Sequence, residues 1–175
     1  GVFQSENGPA LLRVLDWPFP GLGSSTVVAK YSSEAGEYYN VGWVGVSGIF
    51  QAMAPNRFAA ALNQAPMRLF GTGVVIDYIR GKIAMFKSKA LPPAHLLRQV
   101  FETARTYDEA KKILSDTPLA LPVIYILSGI KDGEGCIIER TENKAFIREL
   151  GTGKNVAVAN HFSEDMASEA KSWSA

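Results

Sequence analysis

The period of the apolar residues changes twice along this chain, and that constrains the fold more than any other feature. Short apolar runs broken by Gly, Pro and Asn occupy the first third, helical spacing follows, and short runs then return. The order strands, helices, strands, helix fits an α+β layered domain. In the first group, Val2–Gln4 and Ala10–Leu15 flank Glu6-Asn7-Gly8-Pro9, and Asn-Gly between apolar runs is a strong hairpin signal. Trp17-Pro18-Phe19-Pro20-Gly21 should end the second strand, because proline cannot donate to a ladder. Thr26–Tyr31, Tyr39–Val46, Ile49–Met53 and Phe58–Leu62 read as further strands, and Gly42, Gly45 and Gly48 argue against a helix there.

In the middle, Val74, Ile76, Ile79, Ile83 and Phe86 predict a mostly buried helix. Leu96, Leu97, Val100, Phe101 and Ala104 share one helical face after an opening at Pro92-Pro93. Thr106 and Glu109 form a capping box before Ala110, Ile113 and Leu114, and Asp116-Thr117-Pro118 closes that helix. Pro122–Ser128, Gly135–Glu139, Ala145–Leu150 and Val156–Ala159 then predict an antiparallel meander. Ser163–Lys171 predicts a helix with Ser163 as its N-cap. With 175 residues, 47% of them hydrophobic, the reading is one domain over 1–175 with a real core. Gly1 opens inside a strand-like run and Ala175 closes a helix-like one, so the domain is expected to be cut at both ends.

Composition excludes several function classes. The 18 basic and 17 acidic residues leave a net charge of +1 with no dense basic block, so no nucleic-acid partner is expected. The most apolar long stretch, Met67–Phe86, carries Arg68, Asp77, Arg80 and Lys82, and its longest uncharged run is far short of the ~20 residues of a membrane span, so no transmembrane segment is expected. Cys136 is the one cysteine, which rules out an internal disulfide within the sequence and a cysteine-rich metal site. It lies among β-branched residues on an expected central strand, where burial leaves a thiol inert, so it is rejected as a nucleophile. His95 opens an amphipathic helix and His161 follows Asn160 at a strand end. No H-x-x-x-H or carboxylate cluster has metal spacing, and neither a metal nor a cofactor is expected. Gly71-Thr72-Gly73 and Gly151-Thr152-Gly153 match no phosphate-binding fingerprint and read as turns.

The polar residues that end apolar strands are the remaining candidates. In Arg13-Val14-Leu15-Asp16-Trp17, alternation puts Arg13 and Leu15 on one face, with Asp16 at the strand end. On the residues alone Arg13 and Asp16 read first as a surface ion pair at a strand end, and Asn63 and Asn160 as turn formers or strand caps. Trp17, Phe19, Trp43, Phe50 and Met53 could line an apolar binding site or pack a core.

Taken in order, these pieces resemble the cysteine-dependent N-terminal-nucleophile (Ntn) hydrolases. The similarity is to the acid ceramidase and N-acylethanolamine acid amidase branch, with choloylglycine hydrolase and penicillin V acylase more distant. Arg13-Val14-Leu15-Asp16-Trp17 resembles the family's R-N-x-D-[WF], and Gly42-Trp43-Val44-Gly45-Val46-Ser47-Gly48 through Pro55 and Phe58 resembles G-Y-V-G-x-x-T-G-x-x-P-x-x-F. Leu62-Asn63-Gln64 resembles L-N-E, and Tyr107-Asp108-Glu109-Ala110 resembles Y-E-E-A. Gly133 to Arg140 resembles G-E-G-C-V-I-T-R, and Val156–Asn160 resembles the strand that ends in an active-site Asn. The similarity covers nearly the whole chain. Val14 replaces the usual Asn, and the family arginine downstream of the Asn has no counterpart in the sequence given.

The resemblance implies a four-layer αββα sandwich of two antiparallel sheets flanked by helices. It also implies an autoproteolytic amidase acting on a linear N-acyl amide or lipid through an N-terminal cysteine, which family spacing puts just upstream of Gly1. Arg13, Asp16, Asn63 and Asn160 would be its catalytic residues. Trp17, Phe19, Trp43 and Phe50 would bind substrate, and a homo-oligomer stays open. An inactive acyl-chain-binding or structural protein of the same fold, and an acyltransferase of the penicillin-biosynthetic type, are the alternatives.

Overall fold

The computed structural model describes residues 1–15, 19–151 and 154–166. Asn7-Gly8 does nucleate a hairpin, between β1 (Val2–Ser5) and β2 (Gly8–Leu11). Glu6 and Asn7 make the turn, and Gly8 opens the return strand at φ 106°, a left-handed value that other residues rarely adopt. The large sheet is a continuous antiparallel run of β3 (Thr26–Ser33), β4 (Gly36–Trp43), β5 (Gln51–Ala54), β6 (Phe58–Gln64), β7 (Val123–Ser128), β8 (Gly135–Arg140) and β9 (Ala145–Glu149). Between β6 and β7 the chain forms α1 (Val74–Lys87), α2 (Pro93–Thr103) and α3 (Tyr107–Asp116). The small sheet has the order β10-β1-β2, where β10 is Asn155–Val156.

Strand alternation divides the large sheet into two apolar faces. On β7, Val123, Tyr125 and Leu127 join the core that Leu96, Leu97, Val100, Phe101 and Leu114 of α2 and α3 cover. Ile124 and Ile126 face the other way, onto Val2, Leu150, Val156 and Phe162. Every residue of β7 is buried, as a strand enclosed on both sides requires. The observed architecture is therefore two antiparallel sheets flanked by helices.

Both helices on the covered face end on buried guanidinium groups. Arg57 donates to the carbonyls of Phe101 and Ala104 at the end of α2, the latter at 2.6 Å. Arg140 donates to Leu114 and Thr117 at the end of α3 and to Lys144. A cation there satisfies carbonyls that lack helical partners and meets the negative end of the dipole. At the start of α3, Thr106 Oγ1 accepts from the Glu109 N–H, while Glu109 reaches back to the Arg105 N–H.

Four expectations need correcting. The helix at 74–87 forms, but it is not buried: Val75 is 72% and Phe86 81% exposed, and Asp77 is its one buried residue. Asp77 turns inward to accept from Thr72 Oγ1 and from the N–H groups of Phe70 and Thr72, which fixes the rotation of the helix. The meander stops at β9, and Val156 instead pairs with Val2, because the apolar face of the small sheet needs a third strand. The strand containing Ala10 ends at Leu11, so Arg13 and Leu15 are not a strand face, and β4 ends at Trp43 rather than Val46. Of the helix expected from Ser163, residues 164–166 are helical. The remainder, like Trp17-Pro18, lies outside the described residues.

Candidate active site

The hairpin ladder runs one step past β1. Leu12 N–H donates to the Gly1 carbonyl at 3.0 Å, and the Gly1 nitrogen donates to the Leu12 carbonyl at 2.7 Å. Arg13 is the next residue of the chain after this last hairpin pair. Beyond Leu12, Arg13 leaves the ladder and reaches the end of the large sheet. Its guanidinium donates to the Leu62 carbonyl at 2.8 Å, to Gln51 Oε1 at 3.1 Å and to Asn63 Oδ1 at 3.5 Å. Burial lowers its pKa, yet a guanidinium stays charged at any pH where proteins are folded.

Arg13, Asn63 and Asn160 line one cleft of about 400 Å³, together with apolar side chains that include Leu15, Phe50, Leu62 and Val123. Asn63 is half-buried on β6, and Asn160 is exposed, carried by the segment that follows β10. The N-terminus of α2 forms the opposite wall through Pro92, Pro93 and Ala94. Gly48 allows this close approach: a Cβ on it would fall 2.6 Å from the Ala94 Cβ, and the adjacent Ile49 N–H bonds to the Ala94 carbonyl at 2.9 Å. A guanidinium and two carboxamides, all N–H donors, thus share a cleft with an apolar lining. Such a site suits a developing oxyanion next to an alkyl chain.

The other candidate residues are distributed around this cleft. Phe50 lines it, whereas Phe19 and Trp43 line a neighbouring cleft of about 210 Å³ that shares Leu15 and Phe50. Trp43 and Phe50 meet edge to face at 5.9 Å, and the Trp43 indole N–H bonds to the Leu22 carbonyl. Asp16 and Trp17 lie outside the described residues. Cys136 is buried on the helix-covered face, and burial pushes its thiol up to about 11. His95 is exposed against the Ser47 hydroxyl, and His161 is exposed. Among the described residues no group of His, Cys, Asp and Glu could hold a metal ion, and no helix is long and apolar enough to cross a membrane.

Sequence reasoning missed the contacts that seat these groups. Gln51 had a faint signal, a polar residue within an apolar run, but the Leu62 carbonyl had none because every residue type carries one. Glu139 was also missed. It lies fully buried where β8 faces the small sheet, and an acid directly after Ile137-Ile138 on an enclosed strand was the available signal.

No protein-family profile matches the chain. It is 34% identical over 99 residues to the acid ceramidase of Balaenoptera acutorostrata scammoni, which is 57% of this chain and 24% of that protein. The acid ceramidase of Heterocephalus glaber is 34% identical over 98 residues, and that of Homo sapiens 29% over 103 residues. The aligned region spans about a quarter of the length of these curated relatives. Among solved structures, the Caenorhabditis elegans N-acylethanolamine-hydrolyzing acid amidase ortholog superposes with a TM-score of 0.74 at 20% identity, over 94% of this chain and 70% of that one. Sequence similarity to acid ceramidases and a fold shared with this amidase agree with the motif resemblance: over 57% of its length the chain is similar to acid ceramidases, and it has the same sandwich of two antiparallel sheets as the amidase.

Proposed function

We propose that the complete protein is an amidase that hydrolyses linear N-acyl amides, of the ceramide or N-acylethanolamine kind, through an N-terminal cysteine preceding Gly1. The observation that carries this reading is the hairpin register. The Gly1 nitrogen is held by the Leu12 carbonyl, so a residue directly before Gly1 would emerge beside Arg13, the residue that lines the cleft with Asn63 and Asn160. Sequence similarity to acid ceramidases supports the amide class, and the apolar lining supports an acyl chain.

In this mechanism the α-amine of the cysteine takes the thiol proton, which its usual pKa of about 7.7–8.0 permits near neutrality without a histidine. Arg13 favours the thiolate by its charge. The sulfur attacks the amide carbon, and Asn63 and Asn160 donate to the oxygen that becomes negative. One such donor is worth roughly 2.7–4 kcal/mol of barrier. The protonated amine then delivers its proton to the leaving nitrogen, and water releases the acid from the thioester. Asp16 would hold the α-amine in place by accepting from it. The same cysteine, attacking the peptide bond before it, would free the N-terminus.

The test is expression with the natural upstream residues, followed by mass spectrometry of the mature N-terminus and product analysis on a long-chain N-acylethanolamine and a ceramide. A mature N-terminal Cys with release of free fatty acid is the expected result. A different N-terminal residue, or no turnover by a folded protein that still binds the acyl chain, would leave an acyl-chain binder. Transfer to an added amine in preference to water would make it an acyltransferase.

A further inference from the structure

Glu139 is fully buried between the sheets, where an apolar residue would be ordinary. Four donor groups surround its carboxylate. Arg148 approaches Oε1 through Nε at 3.1 Å and through Nη2 at 3.0 Å, while the Ser163 N–H and Oγ reach Oε2 at 2.9 and 2.8 Å. Arg148 also donates through Nη1 and Nη2 to the Ala157 carbonyl, each at 3.2 Å. The carboxylate therefore ties down both ends of the segment from Ala157 to Ser163, one directly and one through Arg148. Asn160 sits in the middle of that segment and lines the cleft with Arg13 and Asn63. Val158 and Phe162 pack on the apolar face beneath it.

Glu139 is fully buried while Arg148 is 31% exposed, and burying a charge is a poor way to gain stability, since apolar residues of similar volume usually do as well or better. A satisfied buried network does fix one geometry, because any other leaves an unpaired charge. We infer that Glu139 is a positioning residue that, with Arg148 and Ser163, holds the Ala157–Ser163 segment so that Asn160 faces the cleft. The inference rests on the proposed role of Asn160 in amide hydrolysis. Substrate contacts are left to the cleft, so losing the clamp acts on the rate of the chemical step.

The test uses the complete protein with its upstream residues and a long-chain N-acylethanolamine as substrate. Glu139→Gln should lower kcat about tenfold to a hundredfold, the scale of a misplaced catalytic group, with KM within about twofold. Adding Glu139→Gln to Asn160→Ala should cost nothing further, because the clamp acts through Asn160. Ser163→Ala, which keeps the Ser163 N–H bond, should fold normally and show a smaller fall in kcat. Hydrogen exchange should report faster exchange confined to 157–163 in Glu139→Gln, with β7 unchanged. Unchanged kcat in both folded variants, additive losses with Asn160→Ala, or unchanged exchange at 157–163 would overturn the inference. If wild-type protein hydrolyses no acyl amide, the functional proposal fails by itself, and the exchange measurement still decides the clamp.

Discussion

Glu139 and Arg140 are neighbours on one strand, both fully buried, and they point to opposite faces of the large sheet. On the helix-covered face, Arg140 bonds to backbone carbonyls at the end of α3, as Arg57 does for α2. On the face toward the small sheet, Glu139 bonds to Arg148 and Ser163 around the segment that bears Asn160. The first arrangement completes secondary structure, and the second places a loop at the cleft. Adjacent residues with equal burial should therefore fail in different ways when replaced, one through stability and the other through turnover.

The sharpest break in this comparison is Arg140→Met. It leaves the Leu114 and Thr117 carbonyls without their buried donor, at roughly 1–3 kcal/mol for each that stays dry, while the Lys144 carbonyl keeps the Thr141 N–H. We expect about 3–5 kcal/mol less stability in urea unfolding, and unchanged kcat in the fraction that folds. A loss below about 1 kcal/mol would mean that water replaces the guanidinium.

Arg13 should show the opposite behaviour in the complete protein. In the proposed mechanism Arg13→Lys keeps the charge but loses the planar fork and Arg13→Ala loses both, so turnover should fall from wild type to Arg13→Lys to Arg13→Ala, by about a hundredfold or more in the last. The pH of half-maximal rate should rise in Arg13→Ala, because the thiolate then forms less readily. Identical pH–rate profiles in a folded Arg13→Ala protein would reduce Arg13 to a tie between the hairpin and the Leu62 carbonyl.

Cys136→Ala, on the helix-covered face, should retain turnover and lose about 1 kcal/mol of stability. It also has a pH signature. The native thiol holds its proton up to about 11, while an unfolded one releases it near 9.0. Between those values the unfolded state binds fewer protons, so the thiol's contribution to stability is lost as pH rises through the window. Stability should fall less steeply there in Cys136→Ala than in wild type. Abolished turnover in that variant would move the nucleophile to Cys136 and overturn the reading of both faces.

The smallest effect belongs to α1, whose apolar side chains lie outside both cores. Phe86→Ser should change stability by no more than about 0.5 kcal/mol. A loss above 2 kcal/mol in thermal unfolding would show that the side chain is covered in solution.

That helix also shows where reading the sequence stops. Val74, Ile76, Ile79, Ile83 and Phe86 have the spacing of a helix, and a helix forms. The same spacing cannot report what lies opposite, and Asp77, bonded to the Phe70–Thr72 loop, turns inward in place of the apolar residues. The cleft was legible to the same degree. Arg13, Asn63 and Asn160 stood out as polar ends of apolar runs, Gln51 and Glu139 were marked only as single polar residues within apolar runs, and the Leu62 carbonyl carried no mark.

Several features whose energy is settled within a few residues followed from the sequence by itself. The Asn7-Gly8 hairpin, the Pro92-Pro93 opening of α2, the Thr106 cap and the alternation of β7 each depend on backbone preferences and near neighbours. Only the tertiary structure decided that β10 leaves the meander for β1, that α1 keeps its apolar side exposed, and that Arg13 reaches residues 38 to 50 positions away. Those outcomes turn on which surfaces exclude water from one another. That is a property of the packed layers, to which a local sequence pattern contributes one side of each contact and no information about the other.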